Sequence, residues 1–165
     1  MPLPVEVSAP DDFDFIIGDW DVAHRRLNAR LCGCQEWTQF RGLSSTVKTL
    51  GGFGNVEDNI LHFPEGTFRA AAMRAYCAKT KAWSIWWLDG RNPTQLDTPV
   101  VGRFSNNTGL FFADDVFNGK PVKVRFTWSS NPGGPPRWEQ AFSDDAGLSW
   151  ETNWTMEFSR AKHSV

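Results

Sequence analysis

The feature that most constrains this chain is its punctuation. Short runs of β-branched and aromatic residues recur at steady spacing, and each run is closed by a cluster of Gly, Pro, Asn or Asp. Reading from the start, strands are expected over 15–27, 36–50, 56–63, 67–78 and 82–88. Five more are expected over 100–105, 110–117, 121–130, 137–142 and 150–159. The turns between them include Gly51-Gly52-Phe53-Gly54-Asn55, Pro64-Glu65-Gly66, Asn106-Asn107-Thr108-Gly109 and Asn118-Gly119. Glycine takes positive φ at no steric cost, and Asn-Gly is the strongest short hairpin signal. Only Ala70–Ala75 has a composition that favours helix, and turns at strand spacing on both sides of it argue for strand. The result is an all-β chain of about ten strands with no repeat. Meandering neighbours pair in order, and closure removes the exposed edges, so an antiparallel up-and-down β-barrel is the natural solution, with a β-sandwich as the alternative.

A chain of 165 residues buries roughly 70% of its unfolded surface, enough for one real core. Residues 1–12, rich in Pro and Asp, read as an arm, 13–160 as a single barrel domain and 161–165 as a tail. The net charge of −2 and pI near 5.9 supply no basic field, so nucleic acid is not an expected partner. The N-terminus has no basic and apolar leader pattern, and no apolar run reaches the ~18 residues of a membrane-spanning helix. A soluble, cytoplasmic protein without a membrane partner is expected.

Nine Trp and thirteen Phe stand against a single Tyr. That content implies either plugs inside a barrel or an aromatic cavity wall. Cys32, Cys34 and Cys77 are too few for a disulfide scaffold and read as loop cysteines. The three histidines, His24, His62 and His163, show no ligand spacing, so no metal is expected.

Two ends of the sequence suggest how such a barrel closes. Phe15-Ile16-Ile17-Gly18-Asp19-Trp20 carries a Gly-any-Trp step into the first strand, and Arg160 ends the last. This pair resembles lipocalin-like (calycin) proteins, in which a basic residue late in the chain lies against the first-strand Trp. The resemblance implies that Trp20 and Arg160 stack at the narrow end. Further stretches, Gly54-Asn55-Val56-Glu57-Asp58-Asn59, Trp83-Ser84-Ile85-Trp86-Trp87-Leu88-Asp89-Gly90-Arg91 and Trp138-Glu139-Gln140-Ala141-Phe142-Ser143-Asp144-Asp145, resemble an uncharacterised bacterial family of lipocalin-like proteins. That likeness implies a fold and no activity. Ser143 to Trp150 is similar to the Asp-box turn of sialidases and other β proteins, with Asp145 accepting turn amides. Nitrobindin-like barrels hold haem through a late histidine, but His163 lies past Arg160 in the tail, and haem is not expected.

No phosphate loop, H-E-x-x-H or G-x-S-x-G occurs. Candidate site residues are therefore polar groups on aromatic strands, which must be paired or serve a ligand if they face inward. His24 shares a face with Trp20 and would look into the lumen as an acid or base near neutral pH; the alternative is a satisfied core histidine. Asp58 is the candidate inward carboxylate of its strand, with Glu57 on the solvated face. Of the adjacent Trp86 and Trp87, one must fill the barrel, and Asp89 and Arg91 would sit at its rim, either for a ligand head or as a turn clasp. Arg103, Asp115, Arg125 and Glu139 complete the set, with Asp115–Arg103 and Glu139–Arg125 as possible internal pairs.

The expected function is binding of a small, largely apolar or aromatic molecule in a Trp-lined lumen. A cofactor-free isomerase, cyclase or hydrolase using His24 and a carboxylate is the alternative. A filled structural or interaction barrel is another, and outward aromatics would suggest a homodimer.

Overall fold

A computed structural model describes residues 8–162. Ten antiparallel strands follow one another around a closed barrel, the last pairing with the first. They are β1 (Gly18–Leu27), β2 (Trp37–Thr49), β3 (Gly54–Phe63), β4 (Gly66–Cys77), β5 (Ala82–Asp89), β6 (Val100–Ser105), β7 (Thr108–Phe117), β8 (Lys120–Ser129), β9 (Arg137–Ser143) and β10 (Glu151–Arg160). The sandwich alternative is thereby replaced by full closure. The barrel fits a lipocalin-like fold in general.

The expected strand over 15–27 starts later, because Asp14–Ile16 forms a single 3-10 turn. This turn drives Phe13 and Ile16, both essentially buried, into one end of the barrel. Phe13 meets Trp83, Phe104 and Trp128 edge-on, with centroids 4.9–5.9 Å away. Asp12 accepts the Trp83 indole N–H at 2.9 Å. Asp12, the last residue of what the sequence suggests is an arm, is thus tied to the aromatic floor. Residues 1–7 of that arm, and His163, lie outside the described residues.

Closure follows the expected pair. The Arg160 guanidinium lies 3.9 Å from the Trp20 ring centroid and donates to the Ile17 carbonyl at 3.0 Å. Trp20 in turn donates its indole N–H to the Ile16 carbonyl at 2.8 Å. Gly18 has φ +122°, and a Cβ there would overlap the Arg160 guanidinium. Only glycine allows both the backbone conformation and the close approach.

The alanine-rich run is strand, as its flanking turns require: Ala70, Ala72 and Arg74 point inward and are buried, while Arg69 and Met73 point out. Small side chains here leave room inside the wall. At the opposite face of the barrel, the Asp-box-like turn is satisfied locally. Asp145 accepts from the Ser149 hydroxyl at 2.5 Å and amide at 2.8 Å and from the Ser143 hydroxyl at 2.7 Å, bonds that hold its carboxyl pKa at about 2. Trp150 lies against Phe112 outside the barrel.

Candidate functional site

Above the aromatic floor the lumen holds a cavity of about 200 Å³. Its aromatic wall is made of Trp87 on β5, Trp128 on β8, Trp138 on β9 and Trp154 on β10, with Phe63, Phe126 and Phe142 between them, and charged residues line its base and mouth. Trp154 meets Trp87 and Trp138 edge-on at 6.1 and 5.7 Å, the geometry that aromatic quadrupoles favour. A cavity of about 150 Å³ with apolar walls is enough to hold benzene. The lumen therefore has room for a single substituted ring.

Beneath this space lies a charged pair that sequence reasoning missed. Glu57 on β3 and Arg74 on β4 are only 3% and 1% exposed and meet at 2.6 Å. Ser44 donates to the second Glu57 oxygen at 2.6 Å, Arg74 donates to the Asn55 side chain at 2.7 Å, and its guanidinium carbon lies 4.9 Å from the Trp128 centroid. Two buried charges survive here because each is hydrogen-bonded as well as paired. Both line the cavity.

This reverses the reading of β3. Asn55, Glu57 and Asn59 face in, whereas Asp58 is exposed and bound to Arg69 at 2.7 Å on the outer surface. Counting back in twos from the buried Leu61 and Phe63 gives the observed faces. Asp58 cannot act on anything held in the lumen.

His24 does face inward and is 2% exposed, yet it is walled off from the cavity. Its ring stacks on Phe40 at 4.5 Å and 9°, and Nδ1 accepts the Trp154 indole N–H at 3.1 Å. Burial, with Arg41 adding repulsion, pushes its pKa down to about 3, so the ring stays neutral and serves as an acceptor within the core. Gly42 makes space for it, since a Cβ there would stand 2.8 Å from Nε2.

At the mouth, Asp89 and Arg91 both reach the cavity and also form the turn clasp, with two guanidinium nitrogens on the carboxylate at 2.7–3.2 Å. Arg91 lowers the Asp89 pKa chiefly by hydrogen bonding. Asp115 lines the mouth, but its side chain accepts the Val116 amide and has no arginine partner. Arg103 points outward and donates to the Thr80 carbonyl at 2.9 Å, so the Asp115–Arg103 pair does not form. Arg125 also lies outside, 4.6 Å from the Trp150 centroid. Glu139 turns to Arg137 at 3.8 Å, which removes the Glu139–Arg125 pair as well. Trp86 is on the outer face opposite Met73, while Trp20 belongs to the floor. Of the expected ligand-facing residues, Trp87, Asp89, Arg91 and Asp115 reach the cavity.

Two further mouth residues went unnoticed in the sequence. Arg26 continues the inward parity of Trp20, Val22 and His24 along β1, and Arg30 follows in the β1–β2 connection; both line the cavity. No metal-binding group of His, Cys, Asp or Glu occurs among the described residues, and no helix among them is long and apolar enough to cross a membrane. No protein-family model matches this chain. No curated protein matches it in sequence.

Proposed function

We propose that the barrel binds one small, largely apolar or aromatic molecule in its lumen. The observation that carries this reading is the cavity of about 200 Å³ walled by four tryptophans, in an interior otherwise packed ring against ring. A barrel whose aromatic side chains served only as plugs would leave no room of this size, because interiors close-pack and an empty space forfeits dispersion contacts. Binding would depend on burial of the ring surface at roughly 25 cal/mol per Å² of apolar area.

The test is a comparison of native and denaturing mass spectra, followed by tryptophan fluorescence titration with single-ring compounds. Bound ligand adds mass only under native conditions, and a titrated ring perturbs emission from Trp87, Trp138 and Trp154. The variant Ala72→Leu places three extra carbons in the cavity, since Ala72 lines it. It is expected to remain folded and to abolish the titration. Unchanged emission and melting temperature across such a panel would sink the binding reading.

A further inference from the structure

The cavity accounts for an apolar body and leaves the charges at its mouth unexplained. Arg91 is satisfied by Asp89. Arg26 and Arg30 are not: both are half-buried, and among the described residues neither has a carboxylate within 4.0 Å, although Arg91 and Arg137 do. The Arg26 guanidinium rests 5.3 Å from the Trp154 centroid and 5.7 Å from that of Phe63. Its Nε is buried without an acceptor. Arg30 lies 5.0 Å from the Phe142 centroid. Both residues line the aromatic cavity and also a shallower hollow beside it. Guanidiniums out of water are normally paired, because ring faces compensate only part of the lost hydration.

The geometry points to a small aromatic monoanion as the ligand class, its ring among the tryptophans and its acid group bridged by Arg26 and Arg30. This rests on the reading of the lumen as a ligand cavity. Burial and repulsion from Arg26, offset only in part by Glu151, bring the Arg30 pKa to about 10, and burial and repulsion from Arg91, offset only in part by Glu65 and Asp89, lower that of Arg26; an anion between the two guanidiniums would relieve both effects. Planar, forked donors suit a carboxylate in particular.

The charge should be single. β7 lies four strands round the wall from β1, and there Asp115, with Asp97 in the β5–β6 connection, lines the far side of the mouth. Neither has a cation within 4.0 Å among the described residues. Burial and then Asp115 raise the Asp97 pKa, the sign of an uncompensated acid pair. Such a pair repels a second negative charge.

The test uses phenylacetate, its neutral isostere 2-phenylacetamide, the dianion phenylmalonate and the cation phenethylamine, titrated into wild type, Arg26→Gln, Arg30→Gln and Arg26→Lys. Phenylacetate is expected to bind tightest, to lose about tenfold or more in each Gln variant and to recover partly in Arg26→Lys. The amide should be indifferent to all three changes. Equal affinity for acid and amide, or binding of phenylacetate that ignores both arginines, overturns the monoanion class while the cavity reading stands. Tighter binding of the dianion or the amine overturns it in the same way. If none of the four binds, and protein freshly purified carries no extra native mass, both readings fall. Melting temperature of each variant separates lost binding from lost fold.

Discussion

Single side chains inside this barrel carry more of its character than their number suggests. Glu57 and Arg74 are the clearest case. Removing one partner strands a buried charge, so Glu57→Gln or Arg74→Met should each cost about 3–5 kcal/mol in urea unfolding. Changing both together, to Gln and Met, should cost less than the sum, and a double-mutant cycle reads the coupling directly. His24 makes a different prediction. Its folded pKa of about 3 lies below the unfolded value of 6.5, so between these limits the unfolded chain binds a proton that the native chain refuses. Stability is therefore full above pH 6.5 and falls as pH drops toward 3, by about 1.4 kcal/mol per unit. Denaturant midpoints at pH 7 and 5 should reveal the slope, and His24→Gln, which can still accept from Trp154, should flatten it. Gly42→Ala tests the same neighbourhood, because the added carbon meets both His24 and the Ile60 carbonyl; a loss of about 1–3 kcal/mol is expected from overpacking.

Among the strands and turns, the sequence disclosed nearly all positions and fewer orientations. Turn chemistry marks the hairpins to within two or three residues, with Gly54, Asn55, Thr108 and Gly109 falling in strand instead of turn; Asn118 and Gly119 take φ of 49° and 77°, which is what a tight hairpin asks of them. Face assignment is legible where apolar residues alternate, as in Trp20, Val22 and His24. It fails within Asn55 to Asn59, polar at every position except Val56, where the inward face shows only by counting back from Leu61 and Phe63 at the far end of β3. The neighbouring strand carries the same information, since Ala70, Ala72 and Arg74 share a face and Arg74 must meet something polar there. Arg26 and Arg30 escaped notice for another reason. A surface arginine and an unpaired mouth arginine look identical until the aromatic rings beneath them are in place. The β9–β10 turn offers its own check: Asp145→Ala removes the acceptor for the Ser149 amide. Hydrogen exchange should quicken at Gly147 and Ser149 while β1 to β8 keep their protection.

Taken whole, the barrel has no free edge, because β1 pairs with β10 from Trp20–Arg160 through Arg26–Trp154. A closed sheet resists the edge-to-edge association that open sheets invite. Deleting β10 after Ser149 would expose both β1 and β9, and that fragment is expected to aggregate on refolding, as light scattering would show. The seam also has a consequence for biosynthesis. Arg160 and the Ile17 carbonyl that it meets are 143 residues apart in sequence. At ribosomal speeds of about 5–20 residues per second, β1 waits on the order of ten seconds for its second neighbour. Through that interval the nascent chain carries unpaired backbone on two strands and a half-built aromatic lumen, so the fold that ends with no edge spends its synthesis with two of them open.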